Sequence, residues 1–218
     1  MLDMAEAFGV FANGGYRMDL HPILEIKDSK GRLVEKYDPP SSPIFGKKVI
    51  PEGVAFIISD ILQDNSARAS IFGTNSQLRI DNQPVSVKTG TTNDLRDNWT
   101  IGYIPDLLTV VWVGNNDNTP MGGLTSGITG AAPIWNDIMT HLLEGKTAQK
   151  PINPASVVGM RVCASSGLLS KADSVCEKKF EYFIKEAEWE KHFDYWKNHM
   201  QEWTELIGLD AKKVHQVD

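Results

Sequence analysis

A chain of 218 residues that is 41% hydrophobic and 23% charged is long enough to bury a core, as one domain or one domain with an appendage, and is not a disordered polymer. Its net charge of −6, with lysines and arginines scattered along the sequence, argues against a phosphate-backbone partner, so no nucleic-acid function is expected. No apolar run approaches bilayer length, and Met1-Leu2-Asp3-Met4 lacks the basic start and apolar stretch of a signal peptide. Taken as a whole protein the chain would be cytoplasmic; taken as a piece of a longer one, its targeting segment would lie upstream.

Leu2, Met4, Ala5, Phe8 and Ala12 recur at helical spacing, and Gly14-Gly15 supplies a stop. A hairpin follows: Ile23, Leu24 and Ile26 run into Asp28-Ser29-Lys30-Gly31, and Leu33 to Tyr37 returns. Residues 38–43, with three prolines, form a connector. Pro51 opens a second helix, with Val54, Ile57, Ile58, Ile61 and Leu62 expected on its buried face. Residues 63–84 read as polar loop. Strands are expected over 85–88, 99–104 and 107–113, the last two joined through Pro105-Asp106 as an antiparallel pair. A glycine-rich loop leads to a helix over 133–143, whose stripe is Ile134, Trp135, Ile138, Met139 and Leu142.

Beyond Pro151 and Pro154 the chain turns irregular and carries its two cysteines, Cys163 and Cys176, whose spacing fits a bridge or two free thiols equally. Residues 180–206 have helical periodicity, with Trp189, Phe193, Trp196, Met200 and Trp203 forming one apolar seam. Packing against the rest of the chain accounts for such a seam better than a partner or membrane surface does. Gly46-Lys47-Lys48 lacks the glycine spacing and following hydroxyl of a phosphate loop. The histidines at 21, 141, 192, 199 and 215 make no metal-ligand pattern, and neither metal nor cofactor is expected.

The chemistry gathers at Lys88-Thr89-Gly90-Thr91-Thr92, placed after Val85-Ser86-Val87 so that the lysine is expected to end a strand. Gly90 lets a ligand approach the backbone, and the threonines set hydroxyl donors beside a fixed cation. Such an edge can hold an extended peptide by main-chain pairing while Lys88, Thr89, Thr91 and Thr92 bind its carboxylate. A bare Lys-Thr-Gly turns up by chance in roughly a few per cent of chains this long. The bland alternative is an exposed strand end with a solvated lysine.

The motif is one of three that line the active sites of serine penicillin-binding proteins and class A β-lactamases. The wider run KTGTTNDLRDNWTIGYIP, continued by Asp106 and LLTVVWVG, resembles the transpeptidase domain of class A penicillin-binding proteins. So do Met4-Ala5-Glu6-Ala7-Phe8, Phe11-Ala12-Asn13-Gly14-Gly15 and Ala131-Ala132-Pro133-Ile134-Trp135. Val162 to Leu169, with Cys176 and Glu181-Tyr182-Phe183-Ile184, resembles the tail that follows this domain. The other two motifs, Ser-x-x-Lys and Ser-x-Asn, occur nowhere in the sequence.

The resemblance implies an α+β fold, a partial penicillin-binding-protein or β-lactamase-like transpeptidase with antiparallel strands packed against helices, plus a C-terminal amphipathic helix. Residues 1–146 would be the C-terminal part of that domain, 147–179 an irregular tail with the cysteine pair, and 180–218 a helical extension. Lys88 would be catalytic, lending positive potential to a proton relay. Thr89, Gly90, Thr91 and Thr92 would bind substrate, the Thr91 N–H as one of two oxyanion donors. Asp97 and Trp99 look structural. The expected function is peptidoglycan cross-linking by serine D,D-transpeptidation, with stem peptide and β-lactams as ligands, on the extracytoplasmic face of a bacterial membrane through an upstream anchor. A missing N-terminal half or a partner protein would supply the nucleophile, the chain alone being inactive. A non-catalytic stem-peptide or partner-binding module is the alternative, and a β-lactamase is disfavoured by the tail and by Ala12-Asn13-Gly14-Gly15.

Overall fold

The computed structural model describes residues 1–40, 42–122, 128–170 and 175–185. Two compact units divide the chain, Met1–Pro154 and Ala155–Asp218. The first opens with helix α1 (Leu2–Ala12), which ends at Asn13. The short strand β1 (Tyr16–Arg17) then pairs antiparallel with β4 (Lys47–Lys48). Gly15 makes this turn possible. Its φ is +100°, and a Cβ there would lie 2.3 Å from the Ile50 carbonyl oxygen, while its own carbonyl accepts from the N–H groups of Val49 and Ile50. Between β1 and β4, strands β2 (Glu25–Lys27) and β3 (Leu33–Lys36) form the expected hairpin. Asp28 closes its turn by accepting from the backbone N–H groups of Lys30 and Arg32.

Helices α2 (Glu52–Gln63) and α3 (Asn65–Phe72) follow. Then comes a three-stranded antiparallel sheet of β5 (Ser86–Thr91), β6 (Asp97–Ile104) and β7 (Leu107–Gly114), in that order. Its register sets Val87, Gly102 and Thr109 in one row and Thr91, Asn98 and Val113 in another. On one face α1 packs on β6 and β7, and α2 on β5. There Tyr103, 1% exposed, shares a hydrogen bond with Ser59 at 3.0 Å, and Ser86 Oγ donates to the Ser59 carbonyl at 2.7 Å. The other face receives α4 (Ala131–Leu143). Trp135 and Met139 are fully buried there among Val87, Ile104 and Val111, and Thr109 donates to the Met139 sulfur. Burying the indole alone supplies about 4–6 kcal/mol of transfer free energy before ordering costs. A sheet buried on both faces is held rigidly, and β5 carries the motif.

Helical periodicity located the helices but gave their faces only in part, Trp135 and Met139 of the expected stripe being buried. In α2 the buried residues are Gly53, Ala55, Phe56 and Ser59, while Ile61 is exposed and Val54, Ile57 and Ile58 are half-buried. Small side chains let the helix backbone settle against β5, and hydrogen bonds to Tyr103 and Ser86 fix that rotation. In α4 the buried line is Trp135, Met139 and Leu143, with Ile134 and Ile138 exposed. The segment read as loop contains α3. Asp64 caps it, its side chain accepting from the N–H groups of Ser66 and Ala67.

In the second unit, strands β8 (Val157–Cys163) and β9 (Lys178–Ile184) form an antiparallel hairpin. This corrects two expectations: the segment thought irregular holds a strand, and the helix expected from residue 180 does not start there. The pairing of residues 178–184 with 157–163 overrides their helical period. Cys163 and Cys176 are bridged, with 5.6 Å between their Cα atoms. The β8–β9 register explains it, because Cys163 stands opposite Lys178, two residues past Cys176. The aromatic seam at 189–203 lies outside the described residues.

Candidate active site

Lys88 does not end its strand. It is the third of six residues in β5, and pairing continues through Thr91 opposite Asn98. The β-branched Thr89 and Thr91 suit the ladder, and Gly90 is tolerated opposite Trp99, whose Cβ would be 3.7 Å from a glycine Cβ. Past Thr91 a tight turn brings in β6. Thr92 Oγ1 donates to Asp97 Oδ2 at 3.0 Å and accepts from the Asp97 N–H at 2.9 Å, while Trp112 Nε1 donates to Asp97 Oδ1 at 2.9 Å. The turn includes two left-handed residues that are not glycine, Asp94 (φ +62°) and Leu95 (φ +54°). Leu95 is uncommon in that region, and its carbonyl is met by the Met121 N–H at 2.9 Å.

The edge of β5 away from β6 has no strand paired to it among the described residues. The Thr92 N–H bonds to the Asp97 carbonyl, so by alternation the main-chain groups of Lys88 and Gly90 also turn toward β6, and those of Val87, Thr89 and Thr91 turn outward. Two cations mark the outward set. The Lys88 ammonium donates to the Thr89 carbonyl, and Arg68 of α3 donates from Nη1 to the Val87 carbonyl at 3.5 Å. Arg68 is anchored by the Leu62 carbonyl at 2.6 Å and the Asp64 carbonyl at 3.3 Å. Burial lowers its pKa from the ordinary value while the Asp64 charge works against that shift. A shallow cavity of about 240 Å³ runs beside the strand, lined by Ile61, Arg68, Phe72, Val87, Lys88 and Thr89 among others.

Strand alternation puts the Lys88 side chain on the face shared with Ser86, Ile101 and Tyr103, and Thr89 and Thr91 on the face of Thr100 and Asn98. Lys88 is exposed, and among the described residues no carboxylate pairs with it. Thr91 is exposed and its hydroxyl accepts from Asn98 Nδ2 at 3.3 Å. Lys88, Thr89, Gly90 and Thr91 thus share one accessible strand edge. Thr92 stands apart, its hydroxyl engaged within the turn. Sequence reasoning overlooked Arg68 and Asn98. Asp64-Asn65-Ser66 was a legible helix cap that would have found α3, and so Arg68. Asn98 betrays itself only as a polar residue at an inward position of a buried strand. Among the described residues no group of three or more acidic, histidine or cysteine side chains could hold a metal ion. No helix there is long and apolar enough to cross a membrane.

An open strand edge carrying a lysine and two threonines, on an antiparallel sheet between helices, is the architecture of a penicillin-recognising transpeptidase. Residues 1–140 match the family model described as the penicillin binding protein transpeptidase domain, and the chain belongs to that family. It is 38% identical over 157 residues to penicillin-binding protein 1A of Neisseria meningitidis, covering 72% of this chain and 19% of that protein. To penicillin-binding protein 1A of Clostridium botulinum it is 33% identical over 168 residues, covering 77% and 19%. Its fold is similar to the crystal structure of penicillin-binding protein 1A from Haemophilus influenzae, with a TM-score of 0.69 at 26% identity over 84% of this chain and 32% of that one. The chain therefore spans about a fifth of the length of the curated relatives it matches.

Proposed function

We propose that this chain forms the carboxylate-binding wall of a serine D,D-transpeptidase, acting within a larger peptidoglycan synthase. The outward edge Thr89–Thr91, with a cation beside it, carries the reading. Thr89 and Thr91 hydroxyls and the Lys88 ammonium bind the terminal carboxylate of a D-Ala-D-Ala stem peptide, or of a β-lactam that mimics it. Gly90 lets the peptide backbone lie close to the strand. Thr92 contributes by closing the turn that fixes Thr91. The Thr91 N–H stabilises the oxyanion as a serine attacks the penultimate carbonyl. The terminal D-alanine leaves, and the amine of a neighbouring strand then takes the acyl group. Lys88 favours that exchange by adding positive potential to the proton relay.

With no Ser-x-x-Lys or Ser-x-Asn in the sequence, the nucleophile belongs to polypeptide outside these 218 residues, and the chain alone does not turn over. On this reading residues 1–146 are the transpeptidase part and those from 147 its tail, which includes the whole β8–β9 hairpin, with an extension after it. The setting is the extracytoplasmic face of a bacterial membrane, for which the Cys163–Cys176 bridge speaks, since such bridges persist in oxidising compartments. The test is covalent labelling with a fluorescent penicillin. The chain alone should give no adduct. Co-folded with a polypeptide supplying the two missing motifs, it should give one that is lost on Lys88→Ala. An adduct indifferent to Lys88, or none in the reconstituted protein, would remove the proposal. The exposed edge also favours a second reading, a binding module without catalysis, which predicts reversible affinity for D-Ala-D-Ala peptides by the chain alone.

A further inference from the structure

Asn98 is fully buried, yet it reaches the accessible edge through one hydrogen bond. It stands directly opposite Thr91 in the β5–β6 register. Its Oδ1 accepts from the Ala131 N–H at 2.7 Å, at the first residue of α4. Gly130 precedes that helix and has no side chain to cap it, so Asn98 provides the cap from a neighbouring strand. This contact removes the usual ambiguity of an amide. A backbone N–H only donates, so the atom facing Ala131 must be the oxygen, and the atom facing Thr91 must be the nitrogen. Nδ2 in turn only donates, so Thr91 Oγ1 accepts from it at 3.3 Å. The hydroxyl's own hydrogen is not used in that bond. Among the described residues Oγ1 has no second partner.

We propose that Asn98 is a positioning residue that presets the Thr91 hydroxyl as an outward donor and so gives the edge its preference for a carboxylate. The polarity runs in one direction, from the helix N–H through the amide to the threonine, and leaves the hydroxyl hydrogen available to a ligand. The proposal rests on the transpeptidase-site reading for its ligand but not for its geometry. An aspartate at the same place would reverse the last link. Both its oxygens accept, so Thr91 would donate inward and present only lone pairs to a carboxylate.

Two measurements on the full 218-residue chain separate the ideas. In the first, nuclear magnetic resonance follows the Asn98 side-chain amide with no ligand present. The expected result is slow solvent exchange and a shift of that resonance in Thr91→Val, a substitution at an exposed site. Fast exchange, or no change in T91V, overturns the proposal. In the second, affinities are measured for an N-acyl-D-Ala-D-Ala dipeptide as the free acid and as its C-terminal amide. N98D should weaken the acid by about tenfold or more and erase its advantage over the amide. In a T91V background N98D should have almost no further effect. Equal losses in both backgrounds would mean simple charge repulsion, and the proposal would fall. Should the wild-type chain bind neither peptide, the functional reading is in question, and the amide exchange alone decides the role of Asn98.

Discussion

Gly102→Ala tests whether the sheet and α4 meet as tightly as their atoms indicate. A Cβ on residue 102 would lie 2.2 Å from Trp135 Cζ2, 2.6 Å from Cε2 and 2.8 Å from Nε1. Ordinary carbon contacts are about 3.5–4.0 Å, so the indole would have to retreat by more than about 1 Å. It has nowhere to go: Trp135, Ala131, Ala132 and Met139 are all 0% exposed. The helix must lift instead, and the penalty should reach the upper part of the overpacking range, about 2–3 kcal/mol. In urea unfolding that is a midpoint lower by about 1 M or more, and by heat a Tm lower by about 4–12 °C. In a Trp135→Leu background the added methyl should be tolerated better, giving a coupling of at least about 1 kcal/mol. A G102A protein within about 0.5 kcal/mol of wild type, or an equal penalty in both backgrounds, would refute the packing argument.

Reducing the Cys163–Cys176 bridge, or replacing Cys163 by Ser, frees a loop closed across 13 positions and should cost about 3 kcal/mol within the β8–β9 unit; amide exchange should rise in β8 and β9 while β5 and β6 stay protected. Asp64→Ala removes the cap of α3 and should destabilise by about 1 kcal/mol, with Arg68 loosened from the Val87 edge, read by chemical denaturation and by the Val87 amide environment. Burial raises the Tyr103 pKa above the ordinary phenol value, against the pull of its Ser59 and Ser86 hydrogen bonds. The folded chain therefore holds that proton longer than the unfolded one. Its stability contribution is full below about pH 10 and is lost as the pH rises beyond, a decline that Tyr103→Phe should blunt in urea titrations.

Elements with a strong local signature were legible in the sequence. The hairpin at 25–36, the Pro105-Asp106 connection and the two long helices stand where turn residues and periodicity put them. What periodicity gave only in part was rotation. Ile61, Ile134 and Ile138 looked like core and are exposed, whereas Trp135 and Met139 are buried as their place on the stripe implied. The unexpected inward residue is Ser59, turned in by its hydrogen bond to Tyr103. Strand ends were set by partners too: β5 runs past Lys88 because β6 lies beside it as far as Asn98. The second hairpin was hidden for the same reason, since Phe180 to Ile184 gain their order from residues some twenty places earlier. At the site, the pentapeptide marked the residues that form the accessible β5 edge, Lys88 to Thr91, while Thr92 went into the turn. Arg68 escaped notice because it meets the edge at the Val87 carbonyl, far from it in sequence, and Asn98 because only the β5–β6 register sets it beside Thr91.

The alternation along β5 has an evolutionary consequence. The strand is read in steps of two, and phase matters more than composition. Thr89→Ser trims a methyl and leaves the pattern whole. Losing one residue between Val85 and Lys88 would exchange the two faces, putting the amine where a hydroxyl had been and burying the edge carbonyls against β6. A strand of this kind is therefore constrained in length from Val85 to Trp99 as well as in the side chains at 88, 89 and 91. Insertions and deletions belong outside the paired run, as in residues 115–122, where no strand register has to be kept.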